Sequence, residues 1–375
     1  MKSKSFQIII IIYLLIVANA NAIIPTVIGS VSSVHEASGL DFSGSSYWTH
    51  NDGYGDNKLY KLSSSGVLSR TVTITNATNN DWEDITSDEQ KADMYIGDFG
   101  NNNCNRTNLK IYKIPYPSST SSNSLTASVI RFSYPDQTRF PARWMNFDVE
   151  AFFHHDGKLF LFTKADGNAI GYSKLYTVPD QPGTYVADFI DSFPLSGRIT
   201  GANVSPDGRS AVLISNTRIY LFSNFTGDNV FNGDYTKIKM DGGWTQKEGV
   251  CFNSPTSIYL IDEGSSNKLY SVSLSPYMRN GSENPVAEPE NSSSFISENI
   301  YPNPAASYFN IRNTGDFENA IFALTDISGK LISNFTMTKM DEEIQINIEQ
   351  FPAGIYFVQM IADNKRKGTA RIIKN

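Results

Sequence analysis

The chain has 375 residues, a formal net charge of −7, four histidines and two cysteines. A negative balance repels phosphate backbones and argues against a nucleic-acid partner, and two cysteines cannot build a disulfide framework. Hydrophobic content of 40% and aromatic content of 12% are ample for a packed core, and the supply of Tyr, Phe, Thr and Ser favours strands.

Residues 1–22 read as an export leader. Lys2 and Lys4 give the positive start, Ile8–Val17 the apolar stretch, and Ala20-Asn21-Ala22 the small-x-small cut site. A membrane-spanning helix needs about 20 apolar residues, and neither the leader nor any later stretch supplies them, so no transmembrane segment is expected. The mature chain then begins near Ile23.

From residue 23 to 274 one pattern returns five times: basic, aliphatic, Tyr, any residue, apolar. Its copies are Lys58–Leu62, Lys110–Ile114, Lys174–Val178, Arg218–Phe222 and Lys268–Val272, with tyrosines at 60, 112, 176, 220 and 270. Ahead of each stands a second repeat, in four copies an acid before a short apolar start. Its copies are Glu36–Leu40, Glu83–Ile85, Glu150–Phe152, Gly201–Val204 and Glu248–Val250. Between the two lies an apolar run with a polar close, at Trp48–Asp52, Tyr95–Asp98, Phe160–Lys164, Leu213–Asn216 and Tyr259–Glu263. Weaker fourth strands follow at Val67–Ile74, Val129–Ser133, Val186–Phe193 and Tyr235–Met240.

Recurrence at this period marks stacked supersecondary units, and four short antiparallel strands per unit describe a propeller blade. The expected fold is all-β: a β-propeller with five visible blades, six being also compatible, followed by a small β-sandwich. Blade five lacks a clear fourth strand, and the strand-like run Ile23–Ser33 belongs to no blade. That run is expected to fill the slot and close the ring, removing exposed edges.

Blade geometry gathers the first and second repeats' polar residues on one face. The candidate metal ligands are Glu36, Glu83, Glu150, Asn203 and Glu248, and the candidate ligand-binding residues are His50, Asn51, Asp52, Asp98, Lys164, Asn216 and Glu263. Asp81, Asp84 and Asp148 lie beside them. Carboxylates around an axis repel one another unless a cation, water or a basic partner intervenes, and oxygen ligands without a His or Cys cluster suit Ca²⁺. The plainer reading is that these acids line a water-filled channel and bond backbone amides. No Gly-x-Ser-x-Gly elbow, zinc spacing or phosphate-cradling loop occurs, so no catalytic residue can be named. His35 and His50 fall beside the face, whereas His154-His155, ahead of the Asp156-Gly157 turn, are expected in solvent. A Cys104–Cys251 bond is allowed but unforced.

Residues 275–295 hold Pro, Ser, Asn and Glu with scarcely an apolar residue, as a solvated linker would. Beyond it, short alternating stretches at Tyr308–Ile311, Ile321–Leu324, Ile344–Ile348, Tyr356–Met360 and Ala370–Ile373 give about six strands, enough for a sandwich. An immunoglobulin-type accessory module would show the same alternation.

Two resemblances follow from these residues. With Ala37–Leu40, Trp48–Asp52, Asp81–Ile85 and Gly97–Gly100 in series, residues 34–274 resemble a group of secreted bacterial propellers without assigned activity. More distantly they are similar to calcium-dependent phosphotriesterase and gluconolactonase-like propellers, through Ala202–Gly208 and Glu36. That likeness implies Ca²⁺ and, as an alternative to a module that binds a cation and a small or glycan ligand at the channel mouth, lactone, ester or phosphoester hydrolysis. A structural surface protein without a small ligand is the third reading. Residues 296–375 resemble the C-terminal sorting domain of the type IX secretion route of Bacteroidota, through Ile300–Ala305, Leu324–Lys330, Phe351–Val358 and the basic tail Lys365–Lys374. The resemblance implies export to the cell surface or medium, the type IX machinery as partner, and clipping of the tail on release or on attachment to surface lipopolysaccharide.

Overall fold

The computed structural model describes residues 22–278 and 299–375, apart from 54, 89, 143–145, 166–170, 196, 244, 265–266, 314–316, 318, 327–330 and 363–364. The predicted leader lies outside the described residues except for Ala22. So does the predicted linker beyond residue 278, and so do Ile327–Lys330 of the sorting-domain pattern.

Each repeat folds as a blade. The innermost strands are Ala37–Ser43, Trp82–Ser87, Val149–His155, Gly201–Val204 and Lys247–Ser254. They stand side by side in cyclic order, blade one against two, two against three, three against four, four against five, and five against one. Among the described residues these five strands therefore close a cycle. Glycines let neighbouring backbones meet: a Cβ on Gly39 would lie 2.6 Å from the Ile85 nitrogen, and one on Gly249 would lie 2.7 Å from the Gly39 carbonyl carbon.

The recurrent tyrosines occupy equivalent places on the third strands. Tyr60, Tyr112, Tyr176, Tyr220 and Tyr270 face Thr49, Ile96, Leu161, Leu213 and Leu260 on the second strands of their own blades. All five are buried. Several hydroxyls tie down a nearby loop or strand end, Tyr176 to Asp136 at 2.9 Å and Tyr270 to Asp262 at 2.7 Å. The basic residue that opens the repeat also finds an acid, Lys110 with Asp98 at 3.0 Å and Lys174 with Asp136 at 2.6 Å.

Closure occurs as the stray N-terminal run suggested. Thr26–Ser30 pairs antiparallel with Lys268–Ser273 and becomes the fourth strand of blade five. One expected strand divides instead. Gly183–Val186 runs parallel to Ser128–Ser133 of blade two, whereas Asp188–Pro194 completes blade three. Ser124–Leu125 braces blade one in the same parallel way. Cys104 and Cys251 are both buried and unbonded. Asp156 and Gly157 take the positive φ values, 49° and 73°, of a tight hairpin. His154, however, is buried, stacks on Tyr95 and approaches Asp180 at 3.1 Å, because its strand packs it inwards rather than into solvent.

The C-terminal unit forms two sheets. Ile300–Tyr301, Tyr308–Arg312 and Glu343–Asn347 make one, and Leu331–Thr338, Asn319–Asp326, Gly354–Ala362 and Lys365–Lys374 the other. Phe309, Ile311, Phe322, Leu324, Val358, Met360 and Ile372 fill the space between them.

Candidate functional site: an acidic channel mouth

Three inner strands carry the same irregularity near their start. Pairing jumps from Trp82 to Asp84, from Val149 to Ala151 and from Lys247 to Gly249, so that Glu83, Glu150 and Glu248 are each the extra residue of a β-bulge. A bulge twists the strand and re-aims the extra side chain. Here the consequence is that glutamates of three blades join one electrostatic cluster at the mouth, together with Asp52, Asp81, Asp148 and Glu263.

At its centre Asp52, Asp81 and Glu83 each offer a carboxylate oxygen, all within 4.8 Å of one another. Oδ1 of Asp52 is buried with no hydrogen-bond partner. Glu83 is 6% exposed, and its carboxylate makes no hydrogen bond among the described residues. The backbone of Gly100 closes over the group: a Cβ there would lie 1.9 Å from Glu83 Oε1 and 2.5 Å from Asp81 Oδ2.

Lys164 is the cation that reaches in. Its Nζ lies 2.6 Å from Glu150, 3.4 Å from Asn102 Oδ1 and 3.9 Å from Asp148. Burial opposes its charge, but Glu150, Asp148 and Glu83 outweigh that and hold it protonated. Lys164 thus answers the blade-three acids and leaves the Asp52, Asp81 and Glu83 trio without an ion pair among the described residues. Burial first, then repulsion from Asp81, Glu150 and Glu263, pushes Asp52 up to about 7. Burial, with Glu36 and Glu150, takes Glu263 to about 7 as well. Burial and neighbouring carboxylates also raise Asp81, Glu83, Asp148 and Glu248. Such an array keeps some of its protons near neutral pH.

Of the residues singled out from sequence, Glu83, Glu150, Glu248, Asp52, Lys164 and Glu263 meet here, and Glu36 sits exposed on the outer lip. The others have structural work elsewhere. Asp98 is fully buried between Arg106, at 2.7 Å, and Lys110, at 3.0 Å. Asn203 accepts the Phe252 amide at 3.0 Å and so bonds blade four to blade five below the rim. Asn216 accepts the Lys247 amide at 3.3 Å, and Asn51 accepts the Glu36 amide at 3.2 Å. His50 is wholly buried against Trp82, and loss of solvent pulls its imidazole down to about 4. Asp84, next to Glu83, points the other way. Its carboxylate accepts the amides of Ile85, Phe152 and Ala202 at 2.9, 3.2 and 3.4 Å, stapling blades two, three and four across the axis. Asp81 was placed beside the candidate ligands rather than among them, and Gly100 was not singled out. Asp81 had a signal, its place two residues ahead of a rim glutamate; Gly100 had none beyond an ordinary turn sequence.

Fold and site together define a propeller-like ring of sheets with a cluster of acids at the start of its inner strands and separate sheets at the C-terminus. Residues 299–375 match the family described as secretion system C-terminal sorting domain, so the sandwich is a type IX export tail and the chain is destined for the cell surface or the medium. No helix among the described residues is long and apolar enough to cross a membrane. No curated protein matches the chain. Among solved structures it is similar to the β-propeller domain of Cps50 (Swd1) from Myceliophteria thermophila, at 8% identity and TM-score 0.37, over 66% of this chain and 98% of that one. It is also similar to PorZ, a surface component of the type-IX secretion system of Porphyromonas gingivalis, at 13% identity and TM-score 0.32, over 90% of this chain and 45% of that one. A chain of the mitotic checkpoint complex shares 11% identity at TM-score 0.31, over 62% of this chain and 61% of that one.

Proposed function

We propose that the exported propeller is a cation-dependent binding module whose mouth holds Ca²⁺ and, through it, a hydroxyl-rich ligand such as a glycan. The observation that carries this reading is the Asp52, Asp81 and Glu83 trio, with one oxygen from each within 4.8 Å of the others, and with Oδ1 of Asp52 buried without a partner. Three oxygens no more than 4.8 Å apart share a point within about 2.8 Å of each, close to the roughly 2.3–2.6 Å at which Ca²⁺ holds oxygen ligands. Three carboxylates supply only part of the roughly six to eight oxygens that Ca²⁺ takes. Water or sugar hydroxyls would supply the rest.

Hydrolysis through Glu36 and Asn203 draws no support from the geometry, since Asn203 is engaged by Phe252 and lies outside the acid cluster. The protein is further proposed to lose its leader near Ile23 and its tail near residue 295, then to be freed or attached to surface lipopolysaccharide. Calorimetric titration of chelator-treated protein with Ca²⁺ is the test. One site is expected in the wild type and none in Glu83→Gln; heat of equal size in both variants, or in neither, overturns the reading and leaves a hydrated channel.

A further inference from the structure

On the surface sheet of a free sandwich, strands alternate between core and solvent. Strand Gly354–Ala362 does not: Val358, Gln359, Met360, Ile361 and Ala362 are all at most 7% exposed. Val358, Met360 and Ala362 belong to the core of the sandwich. Ile361, on the opposite face, belongs to the propeller core instead, in one cluster with Phe193, Phe222 and Phe231 of blades three and four. Gln359, on the same face, donates to Asp191 Oδ1 of blade three at 3.1 Å, while Asn229 of blade four holds the other oxygen at 2.8 Å. Ala323, which pairs with Gln359 across the sheet, is wholly buried too. Lys365 pairs with Asp234, so the last strand of the tail continues the sheet of blade four past its outer strand. The charge of Asp326 also acts on Tyr172 and Lys174 of blade three.

We propose that the sorting domain is seated in the groove between blades three and four, and that cutting the linker does not by itself release it. The propeller covers the face bearing Ala323, Gln359 and Ile361. The export machinery is left the opposite three-stranded sheet, Ile300–Tyr301, Tyr308–Arg312 and Glu343–Asn347, as its reading surface. Release then requires the Gln359 and Ile361 contacts to open, separately from proteolysis. None of this depends on a bound cation.

The test uses the full chain with a sequence-specific protease site placed between residues 279 and 298, cut and passed over a sizing column in native buffer. Wild-type fragments are expected to co-elute and to separate only in denaturant. Gln359→Lys combined with Ile361→Asp is expected to give two peaks, as is Ala323→Arg alone. These side chains point away from the sandwich core, so the variant tails should keep the circular dichroism of the wild type. Immediate separation of wild-type fragments overturns the proposal, and so does co-elution of folded variants as firmly as wild type.

Discussion

Gly100→Ala tests the mouth without touching the blade cores. The backbone of Gly100 is outside the left-handed region, so alanine meets no conformational strain, only a collision. Its Cβ would fall 1.9 Å from Glu83 Oε1 and 2.5 Å from Asp81 Oδ2, against the 3.4 Å at which such contacts become ordinary. Glu83 Oε1 must therefore withdraw by about 1.5 Å and Asp81 Oδ2 by about 0.9 Å. Both are ends of side chains that can rotate, at roughly 0.5–1.5 kcal/mol for an off-rotamer angle, while Gly→Ala returns about 0.4–1 kcal/mol through the unfolded chain. With both side chains displaced, stability should fall by no more than about 2.6 kcal/mol. Calcium–oxygen distances span only about 0.3 Å, so two of three ligands are lost to the ion. Affinity should fall by about 10–100-fold, that is about 1.4–2.8 kcal/mol. Titration calorimetry and a melting curve on the same sample read both quantities. A folded Gly100→Ala protein that binds Ca²⁺ within about twofold of the wild type would refute the assignment of the trio.

Other outcomes follow from the same coordinates. Asp52 and Glu263 are raised from 3.8 and 4.5 to about 7, so the folded protein binds more protons than the unfolded chain across that window. Without cation, stability should fall as pH rises from about 4 to 7, and the melting-temperature gain from Ca²⁺ should be near zero at pH 5.5 and several degrees at pH 8; equal gains at both would count against the site. Asp84→Ala removes the acceptor of three buried amides and should cost about 3 kcal/mol or more by urea unfolding, with Asp84→Asn milder. Gly29→Val drives a Cβ placed 2.6 Å from the Ser65 backbone into main chain that cannot yield, so it should unseat the closing strand and produce oligomers on a sizing column; a monomer of unchanged melting temperature would contradict that. Cys104 and Cys251 should react with a thiol reagent only after unfolding, two per chain.

The ring was legible because its cause is repeated: each buried tyrosine needs an aliphatic neighbour, a basic opener and an apolar close. The N-terminal strand was legible because an apolar run without a blade had to go somewhere. The mouth was legible only in part. A sequence shows that Glu83 and Asp84 are adjacent, but the bulge that sends Glu83 to the rim and Asp84 to the axis is a matter of one extra residue in the ladder. Asp98 looked like a rim ligand, yet the basic opener of its own blade, Lys110, joins Arg106 to neutralise it. His50 and Asn203 failed for a similar reason, since burial against Trp82 and a bond to the next blade depend on neighbours distant in the chain.

The pairing of Thr26 with Ser271 joins the first strand made to the last strand of the ring. Such a contact closes a loop of nearly the whole domain, and loop-closure entropy delays it until the intervening blades exist. The wheel is therefore latched last, and until Thr26–Ser30 is in place blade five shows an open strand edge. Until it is latched, that edge can pair with another chain, so a molecule held one strand short of closure is the species expected to aggregate.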